Sequence, residues 1–480
     1  HLIASTDRTA GDDELIDYTI QDPGTYFIKV TGAFEDFSTS AAYTLRLRNP
    51  KTGDTYEPNN VRESAAGTLR SGVQVGSYIF TVNDKDWFSF GVTTPTHVRV
   101  ALAVPAGVDY DVWLYSADDD AYLAASTDRT AGDDEAIDYT IQEPGTYFAQ
   151  VTGAFEDYDQ AQPYGLTVTG DGMSICTRIE GETRIDTAVR VSQRAFPNGA
   201  DVAVIATAYN YPDALAGAVL ARAYDAPLLL TDPYEVSYDL LQELNRLGVN
   251  DVLILGGYGA VSAEVADYLA DDDTLVTRVS GEDRFETARK IAEKIVQRTG
   301  TKSTTAIVAT GRNFADALAA SPFAALRLYP ILLTEPNLLS ADARQALKDM
   351  GVTDVYLMGG TSAVSSEVES ALKSMGVATE RVAGDNRFAT AVEMAKVATA
   401  NGMTMSKPLL ATGYNFPDAL AGGVLGAQLG GPLLLTMPTD LPTTTYDYMN
   451  STKAAVDEVI VLGGYGAVSL AVQAEVDSIF

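Results

Sequence analysis

Residues 206–216 read ATAYNYPDALA, and the pattern Ala-Thr-x-x-Asn-Φ-x-Asp-Ala-Leu-Ala, with Φ an apolar residue, returns as ATGRNFADALA at 309–319 and ATGYNFPDALA at 411–421. Three other landmarks recur around it in fixed order. Upstream stands Arg-x-x-Gly-x-x-Arg-Φ-x-Thr-Ala, at Arg178 to Ala188, Arg278 to Ala288 and Arg381 to Ala391. Downstream come Pro-Φ-Leu-Leu-Thr from Pro227, Pro330 and Pro432, and Gly-Gly-x-x-Ala-Val-Ser from Gly256, Gly359 and Gly463. The period is about 100 residues, the size of a small domain.

Between the landmarks the pattern alternates. Short apolar runs such as Val202 to Ile205, Pro227 to Leu230 and Val252 to Leu255 read as strands buried on both faces, and stretches such as ETARKIAEKIV at 286–296 carry helical periodicity. Strand alternating with helix predicts parallel sheets covered by helices. Pro212 and Pro417 suit a first helical turn, Asp213, Asp316 and Asp418 place a carboxylate near the positive end of a helix dipole, and Ser262, Ser365 and Ser469 are natural N-caps.

The N-terminal part repeats differently. LIASTDRTAGDDELIDYTIQDPGTYFIKVTGAFEDF at 2–37 matches LAASTDRTAGDDEAIDYTIQEPGTYFAQVTGAFEDY at 123–158. One complete unit is expected at 54–170, and residues 1–50 read as the second half of an earlier unit. Alternating runs such as Asp86 to Phe90, His97 to Ala103 and Val112 to Tyr115, separated by turn clusters, predict an all-β sandwich.

The markers YEPNN (Tyr56 to Asn60), Asp84 to Phe88, Asp109 to Asp111 and Gly145 to Phe148 resemble the bacterial pre-peptidase C-terminal (PPC) domain. That resemblance implies an accessory domain for export, spacing or adhesion, with an open place for a host or cell-surface ligand. The four landmarks in triplicate resemble the type 2 cell-wall-binding repeat of Gram-positive surface proteins. This resemblance implies three repeats, at 177–277, 278–380 and 381–480, each a Toprim/Rossmann-like α/β fold, packed into a triangle about a pseudo-threefold axis. It further implies secretion to the cell surface and noncovalent attachment to an anionic secondary wall polymer, teichoic-acid-like or polysaccharide. Two alternatives stay open: a non-catalytic region of a secreted protease or other hydrolase, or an adhesin whose α/β triangle is structural.

Composition narrows these readings. Apolar residues make up 46% and charged residues 20% of the 480-residue chain, a globular balance. The net charge of −32 opposes bulk attraction to nucleic acid or an anionic membrane. The acid excess is general, with 10 Lys+Arg against 27 Asp+Glu in residues 1–170 and 23 against 38 in the remainder. No apolar run reaches membrane-spanning length. The single cysteine, Cys176, reads as a linker or edge thiol. Enzyme readings fare badly: the only histidines are His1 and His97, outside the threefold repeats, and the repeat strands end in Ala-Thr, Leu-Thr or Gly-Gly rather than in metal-binding acids.

Arg184, Arg284 and Arg387 are the candidate polymer ligands, because a guanidinium bonds phosphate or carboxylate in a bidentate fork. The competing expectation is an ion pair with Asp213 or its equivalents across a repeat interface. Asn210, Asn313 and Asn415 are expected in the loop after a strand, at the carboxyl end where open parallel sheets place ligands, or else capping local backbone. Tyr209, Tyr211, Tyr258, Tyr414 and Tyr465 could stack on sugars or pack between repeats. Asp118, Asp119 and Asp120, and the cluster Asp133 to Glu135, could supply oxygen ligands to calcium or form solvated turns. No other metal or cofactor is expected.

Overall fold

The computed structural model describes residues 59–62, 65–66, 69–82, 84–117, 121–127, 130–270 and 274–480, which form two compact units. The half-unit at 1–50 and the calcium candidates Asp118, Asp119 and Asp120 lie outside the described residues.

The first unit is built from β1 (Gln74–Ser77), β2 (Lys85–Val92), β3 (Thr96–Ala103), β4 (Tyr110–Ser116), β5 (Tyr122–Ser126), β6 (Glu135–Ile141), β7 (Gly145–Gly153) and β8 (Tyr164–Thr169). One antiparallel sheet runs β1-β8-β3-β6 and the other β5-β4-β7-β2. Alternation drives the sandwich. In β3, Val98, Val100 and Leu102 point inward while His97, Arg99 and Ala103 face water. The acids of the Asp84 to Phe88 marker are internal braces: Asp86 is fully buried and accepts from Ser77 Oγ at 3.0 Å and from the Tyr164 hydroxyl, while Asp84 accepts from the Phe80 amide at 2.6 Å. Of the Asp133 to Glu135 cluster only Glu135 turns inward, accepting from Ser126 Oγ; Asp133 and Asp134 are exposed, with Asp134 accepting from the Val104 amide at 3.0 Å.

The second unit opens with β9 (Met173–Ser174) and β10 (Cys176–Ile179). Three four-stranded parallel sheets follow. The first is β11 (Val202–Thr207), β12 (Leu228–Thr231), β13 (Asp251–Leu255) and β14 (Leu275–Val279), ordered β12-β11-β13-β14. The second is β15 (Thr305–Thr310), β16 (Ile331–Thr334), β17 (Asp354–Met358) and β18 (Ala378–Val382), ordered β16-β15-β17-β18. The third has only β19 (Leu409–Thr412), β20 (Leu433–Thr436) and β21 (Val459–Leu462) of its own, and its fourth strand is β10, from the start of the unit. Cys176 pairs with Val459 and Ile179 with Leu462, so the chain closes on itself. Cys176 is therefore no linker residue: it stands on an edge strand with its thiol buried, and burial pushes that thiol's pKa well up.

The sheets cut across the sequence period. Arg278 and Arg381 open the landmarks of the second and third repeats, yet they lie on β14 and β18, in the sheets of the first and second. The helices are α1 (Arg184–Ala195), α2 (Gly217–Tyr224), α3 (Tyr238–Leu247), α4 (Ala263–Leu269), α5 (Arg284–Thr299), α6 (Ala315–Arg327), α7 (Ala341–Met350), α8 (Ser366–Ser374), α9 (Arg387–Ala400), α10 (Pro417–Leu429), α11 (Thr443–Thr452) and α12 (Leu470–Asp477). After its edge strand, each landmark crosses to the next sheet: α1 packs on β12, α5 on β16 and α9 on β20.

The strand cores match in register. Ile205 lies between Leu229 and Ile254, Val308 between Leu332 and Leu357, and Leu410 between Leu434 and Val461. The Leu-Leu-Thr threonines are fully buried and fold the following loop back, their hydroxyls donating to the carbonyls of Glu235 at 3.2 Å, Leu338 at 2.8 Å and Asp440 at 3.2 Å. Ser262 and Ser469 cap α4 and α12 as expected; Ser365 takes the same backbone conformation at the start of α8 without a capping bond. Pro417 opens α10, but the stretch after Pro212 is not α-helix. There, Ala214 and Gly217 bond to carbonyls three residues back, which tightens the turns and delays α2 to Gly217.

Helices α2, α6 and α10 pack against one another at the centre. Their apolar surface extends around the helix, as a fully enclosed helix requires. Small residues set the spacing: a Cβ added to Gly423 on α10 would stand 2.6 Å from Ser321 Oγ on α6 and 2.8 Å from the Ala218 Cβ on α2. At one end, Tyr211, Phe314 and Phe416 form a mutual triad with ring centroids 5.5, 5.5 and 6.0 Å apart. One aromatic comes from each repeat, which defines a pseudo-threefold axis. Gly423→Val is expected to lower stability by about 1–3 kcal/mol through overpacking. Thermal unfolding measures it, and an unchanged midpoint would mean that the helices have room to part.

Candidate functional site

The first landmark is a device for holding loops. Arg178, Arg278 and Arg381 stand on edge strands and bond the Gly-Gly loop beside them: Arg178 donates to the Gly463 carbonyl at 2.6 Å, Arg278 to Gly256 at 2.9 Å and Arg381 to Gly359 at 2.8 Å. The landmark glycine lies so close to the following helix that a Cβ on Gly281 would meet the Glu286 Cβ at 2.4 Å. Its amide is bonded by the landmark threonine, Gly181 to Thr187 at 3.1 Å, Gly281 to Thr287 at 3.0 Å and Gly384 to Thr390 at 3.1 Å. These brace arginines escaped the sequence reading; their threefold recurrence at the head of the landmark was the available signal.

The second arginine of the landmark reaches between sheets. Arg184 begins α1, Arg284 begins α5 and Arg387 begins α9, and all three are half-buried. Each Nη1 donates to the carbonyl just past the first strand of the next sheet: Arg184 to Ala208 at 3.0 Å, Arg284 to Gly311 at 2.7 Å and Arg387 to Gly413 at 2.5 Å. On the other side, the guanidinium acts on an aspartate of the preceding repeat, in a cycle: Arg284 on Asp213, Arg387 on Asp316 and Arg184 on Asp418. Each arginine thus bonds the loop of the next sheet directly and acts on the aspartate only through space: the expected ion pair with Asp213, Asp316 or Asp418 is not formed among the described residues.

The aspartates sit against the Gly-Gly loops. A Cβ on Gly256 would stand 2.6 Å from Asp213 Oδ2, one on Gly359 2.4 Å from Asp316 Oδ2 and one on Gly463 2.3 Å from Asp418 Oδ2. These glycines hold φ of 93°, 92° and 95°, a region side-chain-bearing residues rarely enter. Burial pushes all three carboxyls above the ordinary aspartate value; the facing arginine pulls each back, and Thr287 also pulls on Asp213.

Asn210, Asn313 and Asn415 are exposed at the carboxyl ends of β11, β15 and β19, beside these arginine bonds. Asn313 and Asn415 also cap local backbone, accepting from the amides of Phe314 at 2.8 Å and Phe416 at 3.0 Å. Tyr211 packs at the axis, and its hydroxyl donates to the Arg312 carbonyl of the second repeat at 3.1 Å. Tyr209 and Tyr414 instead stand exposed on the same loops as the asparagines, and Tyr258 and Tyr465 on the Gly-Gly loops. Each site therefore gathers arginine, asparagine, aspartate and loop backbone from two sheets. Such a set can read hydroxyls and anions; it offers no paired nucleophile and base. Among the described residues, no group of three acids, histidines or cysteines is placed to hold a metal, and no helix is long and apolar enough to cross a membrane.

A ring of tandem parallel α/β units with composite loop sites between neighbours defines a repeat-built binding module. The chain belongs to the Cell wall binding domain 2 (CWB2) family, whose profile matches residues 178–266, 278–369 and 381–473, together more than half its length. The Bacterial pre-peptidase C-terminal domain profile matches residues 84–153. In Bacillus subtilis (strain 168), N-acetylmuramoyl-L-alanine amidase LytC is 30% identical over 292 residues, 61% of this chain and 56% of that protein. The Amidase enhancer of the same organism is 28% identical over 304 residues, 61% of this chain and 40% of that protein. The chain thus spans about half the length of these curated relatives or less. Among solved structures, Cwp8 from Clostridium difficile is similar with a TM-score of 0.56 at 26% identity, covering 67% of this chain and 58% of that one. Cwp6 from the same organism has a TM-score of 0.58 at 20% identity, covering 82% and 68%, and supports the fold. The repeat region is a cell-wall-binding module of a wall-associated surface protein.

The raised carboxyls give a pH signature. A folded pKa above the unfolded 3.8 means that Asp316 adds stability below that value and loses it as pH rises through the folded pKa. Asp316→Asn is therefore expected to unfold at a higher temperature than the parent at pH 7, with the gap closing as pH falls towards 3.8. A variant less stable by the same margin at both pH values would show that Arg387 fully compensates the buried charge.

Proposed function

We propose that the chain holds a longer, secreted surface protein noncovalently on the wall of a Gram-positive bacterium by binding a secondary wall polymer. The polymer contacts are the inter-sheet sites, with Arg184, Arg284 and Arg387 and the neighbouring Asn210, Asn313 and Asn415 as ligands. The observation that carries this is the threefold recurrence of a half-buried guanidinium and an exposed amide at the carboxyl ends of parallel strands, where such sheets place ligands. Each guanidinium already feels the charge of an aspartate, which weakens it as a receptor for dense negative charge. That supports a polysaccharide read through hydrogen bonds over a teichoic-acid-like polyanion. The strand order, with the first strand inside and the second at the edge, is compatible with the Toprim/Rossmann-like reading of each unit. The β-sandwich serves as a spacer.

The likeness to an amidase and to an amidase enhancer favours one variation, in which the anchored partner is a wall hydrolase that this region delivers to its substrate.

Cosedimentation with purified cell walls, before and after acid extraction of secondary polymers, tests the reading. The parent is expected to pellet with intact walls and not with extracted ones. The combined Asn210→Ala, Asn313→Ala and Asn415→Ala variant, altered only at exposed side chains, is expected to bind at least about tenfold more weakly. The combined Arg184→Ala, Arg284→Ala and Arg387→Ala variant is expected to lose both binding and thermal stability. Full binding to extracted walls would contradict the polymer reading.

A further inference from the structure

The three repeats are not equivalent where they meet solvent. Two residues past the first strand of each sheet stand Tyr209, Arg312 and Tyr414, and three residues past the third strand stand Tyr258, Thr361 and Tyr465. In the first and third sheets these two loops follow adjacent parallel strands, β11 beside β13 and β19 beside β21, so both tyrosine-bearing loops open at the same edge of the sheet. All four are exposed, Tyr209 58%, Tyr258 68%, Tyr414 58% and Tyr465 43%, as are Tyr238, Tyr268, Leu275 and Leu338 elsewhere in the unit; what sets the four apart is their place on these two loops. In the first sheet Tyr234, after β12, adds a third exposed ring to the same rim.

Each of the four rings is backed by an arginine. The guanidinium carbon lies 5.2 Å from the ring centroid for Arg184 and Tyr209, 4.4 Å for Arg278 and Tyr258, 5.6 Å for Arg387 and Tyr414, and 4.3 Å for Arg178 and Tyr465. Those guanidinium groups are in turn held by loop carbonyls. A cation against the ring restrains its orientation before any ligand arrives, while much of each side chain stays exposed. A rigid, amphipathic ring gives contact area at low entropic cost, which suits stacking on the CH face of a pyranose. The second sheet has nothing of this kind. Arg312 is locked in a two-point ion pair with Glu335, with its Nε 2.8 Å from Oε2, and Thr361 has no ring.

We propose that the rims of the first and third sheets each stack a sugar ring on a tyrosine pair, Tyr209 with Tyr258 and Tyr414 with Tyr465, while the second rim takes none. This rests on the wall-binding reading above and names its ligand class: a pyranose-containing glycan engaged at two points of the ring. Two points joined by one molecule give avidity, so losing either weakens binding and losing both weakens it more than additively in affinity.

The test is cosedimentation of the full chain with purified walls of the source organism, and with the same walls stripped of secondary polymer by acid. Tyr209→Ala with Tyr258→Ala, and Tyr414→Ala with Tyr465→Ala, are each expected to weaken binding about tenfold, and the fourfold variant by clearly more. The corresponding Tyr→Phe variants keep the stacking face and should bind as the parent does, which separates stacking from folding. Arg312→Ala with Glu335→Ala should leave binding unchanged. Loss confined to intact walls would assign the glycan to the secondary polymer; loss seen also on stripped walls would assign it to the peptidoglycan strand. Parent-like binding by the folded fourfold variant, or an equal loss in the Arg312/Glu335 variant, would overturn the proposal while leaving wall binding standing. Failure of the parent to bind any wall would overturn the wall-binding reading itself.

Discussion

Three helices can share one axis only where the residues between them are small enough for backbones to approach, and here Ala218, Ser321 and Gly423 meet that condition. From this constraint follows the spacing of the three sheets around the axis, and from that spacing the reach of Arg184, Arg284 and Arg387 from one sheet to the next. Closure needs one more element. The third sheet would present β21 as an unpaired edge if β10 did not return to it, and an open edge of apolar Val459 to Leu462 is an invitation to aggregate. The ring is thus sealed by chain order as well as by packing. Buried Glu458, with Thr177 bonded to it and Arg194 and Lys407 beside it, fixes the seam. Those partners hold the Glu458 carboxyl below its ordinary pKa despite burial.

Much of this was legible in the sequence because each landmark does a local job. The Leu-Leu-Thr runs read as buried strands since every position is apolar or folds back on its own loop. Ser262 and Ser469 read as caps because capping is a matter of three residues. What escaped was long-range. A period of about 100 residues is the same whether an edge strand stays with its own repeat or joins the preceding sheet, so the placement of Arg278 on β14 and of Cys176 beside Val459 had no sequence signature. The delay of α2 past Pro212 arose from tightened turns that a proline-at-the-start rule does not foresee.

The candidate site was half legible for the same reason. Arginine, asparagine and aspartate could be picked out by recurrence, and the choice between polymer ligand and ion-pair partner turned on geometry. The structure brings each arginine to a loop carbonyl, with an aspartate within electrostatic reach but not paired with it, a position from which it organises the loops at the carboxyl ends of the strands. Exposed tyrosines backed by these and the brace arginines complete two of the three rims. In a unit with 23 basic against 38 acidic residues, the proposed recognition by rings and hydrogen bonds would also sidestep the repulsion that a polyanion would meet.

The most direct measurement is a crystal structure of the chain with an oligosaccharide released from purified cell walls. The account predicts sugar density at the carboxyl ends of the parallel strands, against the loops after β11 and β13 or after β19 and β21. Density at the amino ends of the strands, or on the β-sandwich alone, would contradict it.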